Sequence, residues 1–244
     1  MASAESFILT YHSLDESGSV ISVTPQLFRR QMAALNASGR KVVPLELITS
    51  TPNAAAITFD DGYVNFFEHA LPVLDGFGFP STVFVVSRLC GRQSAWAGSG
   101  PGRPLMDWDQ LRQLWSHRAS VGAHTATHAD LRNLPAAAVA GELDESRDEI
   151  EQRTGRKVRT FAYPYGAADE QVRRMAAERF DWSCSVELDF VRQGTDPVFL
   201  PRLDMYYFQA SAHFGSLVEG TAHQYVALRR SLRRLRAMIP FARF

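Results

Sequence analysis

Two adjacent carboxylates close the apolar run ITFDDGY, where Asp60 and Asp61 stand just before Gly62. On a continuing strand their side chains would point to opposite faces, but the glycine lets the chain bend and present both to one pocket. Carboxylates this close resist joint ionisation unless a cation stabilises them, so the pair calls for a metal, an arginine, or both. Further along, VGAHTATHADL places His124 and His128 four positions apart, which brings both imidazoles to one ion from a helix or from a tight loop. Two histidines and one carboxylate leave positions open for water and substrate, the arrangement of a catalytic metal site rather than a closed structural one. In RTFAYPYGAAD, Pro164 and Gly166 set a turn whose backbone N–H groups could face the same pocket and receive an oxyanion. A further histidine, His12, ends the apolar run FILTY; a core residue, a metal ligand and an acid catalyst are all open to it.

These groups need a scaffold that brings strand ends together. Strand-like runs (FILTY, KVVPL, AAAITF, STVFVV, ASVGAH, VRTFAY, DWSCSV and PVFLPRL) alternate with helical patterns, which predicts an α/β fold with a mostly parallel sheet, closed as a barrel. Asp60 and Asp61 would then sit at the C-terminal end of a strand, where α/β enzymes place catalysis. Thr24 and Pro25 read as the N-cap and first turn of a helix that carries Leu27, Phe28, Met32 and Leu35 to a stop at Gly39. A second helix is predicted over about 135–154, with Val139, Leu143 and Ile150 on one face. Its acidic run, Glu142, Asp144, Glu145, Asp148, Glu149 and Glu151, reads as a solvated face. The Gly-, Ser-, Pro- and Arg-rich stretch 88–104, with a lone Trp96, reads as an irregular loop: a cover over the site or a surface excursion.

The 244 residues suit a single domain with a substantial core, and a composition 45% hydrophobic and 21% charged fits an ordinary globular chain. With 26 residues of each sign, no global field would recruit nucleic acid, so any charge argument is local. Cys90 and Cys184 lie far apart without metal-ligand spacing and read as buried hydrophobes. The N-terminus lacks a basic segment followed by an apolar one, and no run approaches the roughly 18 apolar residues of a membrane span, so a cytoplasmic location is expected.

Together, TFDDG, HTATH and YPYG, in this order, resemble the polysaccharide deacetylases with a NodB homology domain (carbohydrate esterase family 4) over most of residues 6–204. The resemblance implies a distorted (β/α) barrel of about seven strands over 1–215, followed by a tail over 216–244. It also implies metal-dependent removal of acetyl from N-acetylated, sometimes O-acetylated, sugars of a polysaccharide, oligosaccharide or lipid-linked glycan. Asp60 would be the general base, Asp61, His124 and His128 the metal ligands, and the Tyr165 N–H the oxyanion donor. Zinc suits the ligand set best, and cobalt, nickel or iron would also fit.

The chain departs from the family pattern in two places. Many members carry an arginine before the Pro-Tyr of the third motif, where it braces the catalytic Asp; here Phe161-Ala162-Tyr163 leaves that brace missing. Arg202, in FLPRLDM, is available as a replacement, with a surface ion pair as its other reading, and this element resembles the branch that includes exopolysaccharide poly-N-acetylglucosamine deacetylases. The family's late Leu-x-x-His, which supplies the general acid, is also missing: His213 and His223 follow no such strand, whereas Leu9-Thr10-Tyr11-His12 has the pattern at the opposite end of the chain. In a circularly permuted barrel the first strand takes the place of the last, which assigns the acid to His12. Trp96, Tyr163 and Pro164 are the substrate-binding candidates, and Trp108, Tyr206, Tyr207 and Phe208 are further aromatic residues open to a sugar-stacking or a core role.

Three alternatives accompany this reading: a deformylase of lipid-linked aminosugar, another non-peptide C–N hydrolase on the same fold, and an inactive carbohydrate-binding relic. The C-terminal HQYVALRRSLRRLRAMIPFARF interleaves Arg229, Arg230, Arg233, Arg234, Arg236 and Arg243 with apolar residues. It reads as a basic amphipathic helix that either lies on an anionic membrane or packs its apolar stripe on the barrel.

Overall fold

A computed structural model describes residues 5–94, 96, 102–166 and 168–238. Among these residues ten strands form: β1 Phe7–Tyr11, β2 Ser13–Leu14, β3 Ser22–Val23, β4 Lys41–Val42, β5 Ala54–Phe59, β6 Ser81–Val85, β7 Ala119–Ala123, β8 Thr160–Ala162, β9 Trp182–Cys184 and β10 Leu203–Asp204. Between them run α1 Pro25–Ala37, α2 Leu71–Phe77, α3 Trp108–Gln113, α4 Ala136–Thr154 and α5 Glu170–Ala177; α6 Ser211–Val218 and α7 His223–Met238 follow. The main sheet is parallel with the order β10-β1-β5-β6-β7-β8-β9, and β4 pairs with β5 off this path. Leu200 bridges Cys184 while Leu203 and Asp204 pair with β1, so one short segment joins both ends of the curled sheet. This is the mostly parallel, closed sheet that the alternating pattern predicts, in the distorted seven-strand form that the resemblance implies.

Burial explains why the strands read as near-continuous apolar runs. All five residues of β1 and all six of β5 are buried, because helices cover the outer face of a parallel sheet and side chains fill the inner one. An aromatic cluster locks the first of these strands to their helices: Tyr11 stacks on Phe59 at 5.2 Å and meets Phe28 of α1 edge-on at 5.0 Å, and Phe59 meets Phe66 at 4.8 Å. Each such ring contributes roughly 1.5–3 kcal/mol through burial. The Tyr11 hydroxyl donates to Gln31 Oε1 (2.8 Å), and Gln31 Nε2 donates to the Phe208 carbonyl (3.0 Å), so the buried polar atoms of the cluster are paired. Tyr11 and Phe59 immediately precede His12 and Asp60, so the packing that stabilises the barrel also fixes those two strand ends.

α1 begins at Thr24, whose hydroxyl accepts from Leu27 N, and buries Leu27, Phe28, Met32 and Leu35 as its spacing predicts. α4 buries Val139, Leu143 and Ile150 and ends on Gly155 at φ +68°. Cys184 is buried and Cys90 half-buried, both as free thiols. Among the described residues no helix is long and apolar enough to cross a membrane.

Candidate active site

Strand ends β1, β5, β7 and β8 deliver His12, Asp60 with Asp61, His124 and Tyr163 to one rim of the barrel. They line a cavity of about 280 Å³ together with Trp96, His128, Tyr165 and Val186. The backbone here leaves the ordinary regions. Asp61 (φ +73°), Thr125 (+64°), His128 (+65°) and Tyr165 (+58°) are four of the five non-glycine residues with positive φ among the described residues. Such conformations cost of order 1–3 kcal/mol each and persist where surrounding structure enforces them, which concentrates them at functional sites. The bend that the sequence assigns to Gly62 therefore begins one residue earlier, at Asp61. Gly62 itself has φ +75°, and a Cβ there would meet Val85 Cγ1 at 2.9 Å.

Asp61, His124 and His128 converge. Asp61 Oδ1 lies 3.2 Å from His128 Nε2 and 3.5 Å from His124 Nε2, and all three side chains are buried. His124 Nδ1 donates to the Ala162 carbonyl at 2.7 Å, which leaves the Nε2 lone pair free toward Asp61. Burial lowers the His128 pKa and so favours the neutral ring that ligates metals. Asp61 Oδ1 is buried without a hydrogen-bond partner, a costly arrangement for a carboxylate unless a cation completes it. The three ligand atoms lie within 4.8 Å of one another, and this donor set fits a divalent metal.

Asp60 and Arg202 form the second half of the site. Arg202 Nη1 and Nη2 donate to Asp60 Oδ1 and Oδ2 at 2.7 Å each, while Arg202 Nε donates to the Ser185 carbonyl at 2.8 Å. Both side chains are buried. Burial pushes the Asp60 carboxyl pKa up, but the charge and paired hydrogen bonds of Arg202 outweigh it and hold the group below the usual carboxylate range. His12 Nε2 stands 3.8 Å from Asp60 Oδ2, on the same rim, and is not part of the converging Asp61–His124–His128 group.

The third motif adopts a turn with Tyr165 in the left-handed region, Pro164 buried and Gly166 at φ +64°. A Cβ on Gly166 would overlap Val186 at 2.0 Å, so the turn can close against that residue only with glycine. The Tyr165 hydroxyl lies 3.2 Å from His128 Nδ1, the ring edge opposite the one facing Asp61. Tyr163 is fully buried beneath the cavity, with its hydroxyl donating to the Val198 carbonyl. Trp96 stacks on the His128 ring with centroids 4.0 Å apart and planes 15° apart. The stretch that reads as irregular is paired on both sides of Trp96, through Ser94 N to Arg103 O and Leu105 N to Arg92 O; residues 95 and 97–101 lie outside the described ones. Of the other aromatic candidates, Phe208 is core, Trp108 packs on the core, and Tyr207 lies against α7.

Two contributors are not legible as site residues in the sequence. Glu142 does not join the solvated face of α4. Its Oε2 accepts from Ala126 N and Thr127 N, and its Oε1 from the Thr127 hydroxyl, so one carboxylate gathers the loop between His124 and His128. Its neighbours are engaged in ion pairs instead: Glu145 with Arg88, Asp144 with Arg179, and Glu151 with Lys157. Tyr63, directly after Gly62, buries an unpartnered hydroxyl; burial first, then the Asp61 charge, pushes its pKa far above the usual value.

The family model described as polysaccharide deacetylase matches residues 48–179, more than half of the 244 residues. The segment includes Asp60, Asp61, His124, His128, Glu142 and Tyr165; His12 and Arg202 lie outside it. A curated relative, "Putative polysaccharide deacetylase YxkH" of Bacillus subtilis (strain 168), is 26% identical over 187 residues, which cover 73% of this chain and 63% of that protein. The chain thus spans less than two thirds of that relative's length. Among solved structures, IcaB from Ammonifex degensii aligns with a TM-score of 0.77 at 21% identity, covering 90% of this chain and 97% of that one. A Streptococcus pyogenes deacetylase, PplD in complex with acetate, aligns at 0.72 and 18% identity, covering 83% and 93%. At these identities the two structures establish a shared fold.

Proposed function

Since the chain belongs to the polysaccharide deacetylase family, we propose that it hydrolyses the acetamido group of N-acetylated sugars in a glycan with the help of a divalent metal. The observation that carries this reading is the buried, unpartnered Asp61 Oδ1 beside two imidazole nitrogens, next to a second carboxylate that an arginine keeps ionised. A cavity of about 280 Å³ is at the small end for ligand sites and suits one sugar residue with its acyl arm.

Asp61, His124 and His128 would hold the ion, with zinc first by ligand type and cobalt, nickel or iron as substitutes. Bound there, the metal supplies a Lewis acid that polarises the acyl carbonyl and acidifies water. The remaining work falls to side chains of this protein. Asp60, fixed in orientation by both Arg202 nitrogens, takes the proton of the water that attacks the acyl carbon. The Tyr165 N–H, presented by its left-handed backbone, donates to the developing oxyanion. As the C–N bond breaks, His12 delivers a proton to the leaving amine, and acetate and a free amino sugar depart. Trp96, with Tyr163 lining the same cavity, forms the wall against which the sugar ring packs, and the buried Pro164 sets the turn that presents Tyr165.

The test is turnover of the metal-loaded protein on N-acetylated oligosaccharides and lipid-linked saccharides, with products identified by mass spectrometry. Acetate release that collapses in Asp60→Asn and His128→Ala supports the reading. Release of formate or of a ring-opened acid would assign the site to a different C–N bond, and near-normal turnover in either variant would contradict the mechanism.

A further inference from the structure

Helix α7 lies on the body of the protein with its polarity reversed. Arg229 rests over the Tyr207 ring at 4.4 Å, Arg230 pairs with Asp189, and Arg233 Nη1 donates to the Val186 carbonyl at 3.0 Å. Val226 is buried on the same side. The leucines face the other way: Leu228, Leu232 and Leu235 are 56%, 41% and 53% exposed. Among the described residues seven large hydrophobic side chains are exposed, and three of them form this single stripe. Its spacing of four and then three residues places the leucines on one helix face, with the exposed Arg236 on one flank and the exposed Arg234 on the other. Residues 239–244 lie outside the described ones.

We infer that this face of α7 is a docking surface for an anionic lipid bilayer. Charge selects the occupant. Residues 223–244 contain six arginines and no acidic residue, which leaves 20 basic against 26 acidic residues in the rest of the chain. A second copy would set two cationic helices against each other, whereas an anionic bilayer accepts leucines into its interface and arginines at its headgroups. Position adds a consequence. Val186, whose carbonyl Arg233 holds, also lines the Asp60–Asp61 cavity, so α7 packs beside the candidate active site and carries the leucine stripe on its outer face. The surface would favour acetylated glycans attached to or gathered at a membrane. Binding itself is read without turnover, so its failure leaves the hydrolytic reading standing, and the reverse also holds.

Cosedimentation of the full 244-residue chain with vesicles of phosphatidylglycerol and phosphatidylcholine, against phosphatidylcholine alone, tests the inference. The expected result is pelleting with the anionic vesicles only, weakened by added salt. Leu228→Ser/Leu232→Ser/Leu235→Ser and, separately, Arg234→Glu/Arg236→Glu should each cut the vesicle partition coefficient by about tenfold or more. Unchanged melting curves would show that both variants fold, and the charge reversal alone decides if the leucine variant does not. Protein that stays in the supernatant, or partitioning that neither variant alters, overturns the inference. So does a dimer in sedimentation velocity that the leucine substitutions dissociate without any vesicle binding, since that outcome gives the stripe to a second copy.

Discussion

Arg202 and Asp60 lie 142 positions apart and meet through two hydrogen bonds of 2.7 Å, with both side chains buried. The arginine comes from the segment that joins the two ends of the sheet, so closure of the barrel and ionisation of the proposed base depend on the same few residues. In Arg202→Met, burial of Asp60 loses its main counterweight and the carboxyl pKa rises. The acid limb of the kcat/KM profile should therefore move to higher pH, and an unshifted limb would show that Arg202 does not control Asp60. The variant should also lose about 3–5 kcal/mol in denaturant titration, because one buried charge is left uncompensated. In the native chain the folded pKa of Asp60 lies below its unfolded value. Its contribution to stability is thus complete above about pH 4 and disappears as pH falls through the folded pKa.

His12 is assigned the acid because it stands on the Asp60 side of the site, outside the three-residue ligand cluster. His12→Ala should lower turnover roughly 10²–10⁴-fold while metal content, read by elemental analysis, stays at the native level. Loss of metal would recast His12 as a ligand, and loss of the native melting transition as a core residue.

Glu142 makes three hydrogen bonds to the loop between the two histidines, and removing them takes away one of the supports for its positive-φ residues. Glu142→Ala should weaken metal affinity about tenfold in calorimetric titration, in the manner of other outer partners of ligating groups. Glu142→Gln, which keeps one carbonyl acceptor, should recover part of the loss. Equal affinity in all three proteins would reduce the glutamate to a surface contact.

Tyr165 offers two separable groups: a hydroxyl beside His128 Nδ1 and a backbone N–H held by the turn. Tyr165→Phe removes only the first. Metal affinity should fall about tenfold, while kcat at saturating metal should change little. A collapse of kcat at saturating metal would move the catalytic contribution from the N–H to the hydroxyl.

Much of this architecture is legible in the residues, and what is not follows a pattern. Buried parallel strands are written as apolar runs, and their polar terminators (His12, Asp60, Asp61, His124) mark the rim of the barrel. Side-chain direction on a charged helix is not written in the same way. Glu142 sits in an acidic run that pattern alone gives to solvent, and its real partners are backbone amides that acquire their positions only once the 125–128 loop turns left-handed. The same limit applies to α7, where composition announces an amphipathic helix but not that Arg229, Arg230 and Arg233 turn to the body of the protein and the leucines outward. Trp96 is a third case: the stretch around it looks irregular, and only the pairing of its two limbs carries the indole onto His128.

The central claim, metal-assisted removal of acetyl at the Asp60–Asp61–His124–His128 site, is tested most directly by quantifying acetate and free amine by NMR. The substrate is an N-acetylated glucosamine oligosaccharide incubated with chelator-treated protein, before and after zinc is restored. The account predicts no products from the stripped protein, and acetate and amine in equal amounts once zinc is returned. Equal acetate release from stripped and reloaded protein would contradict it.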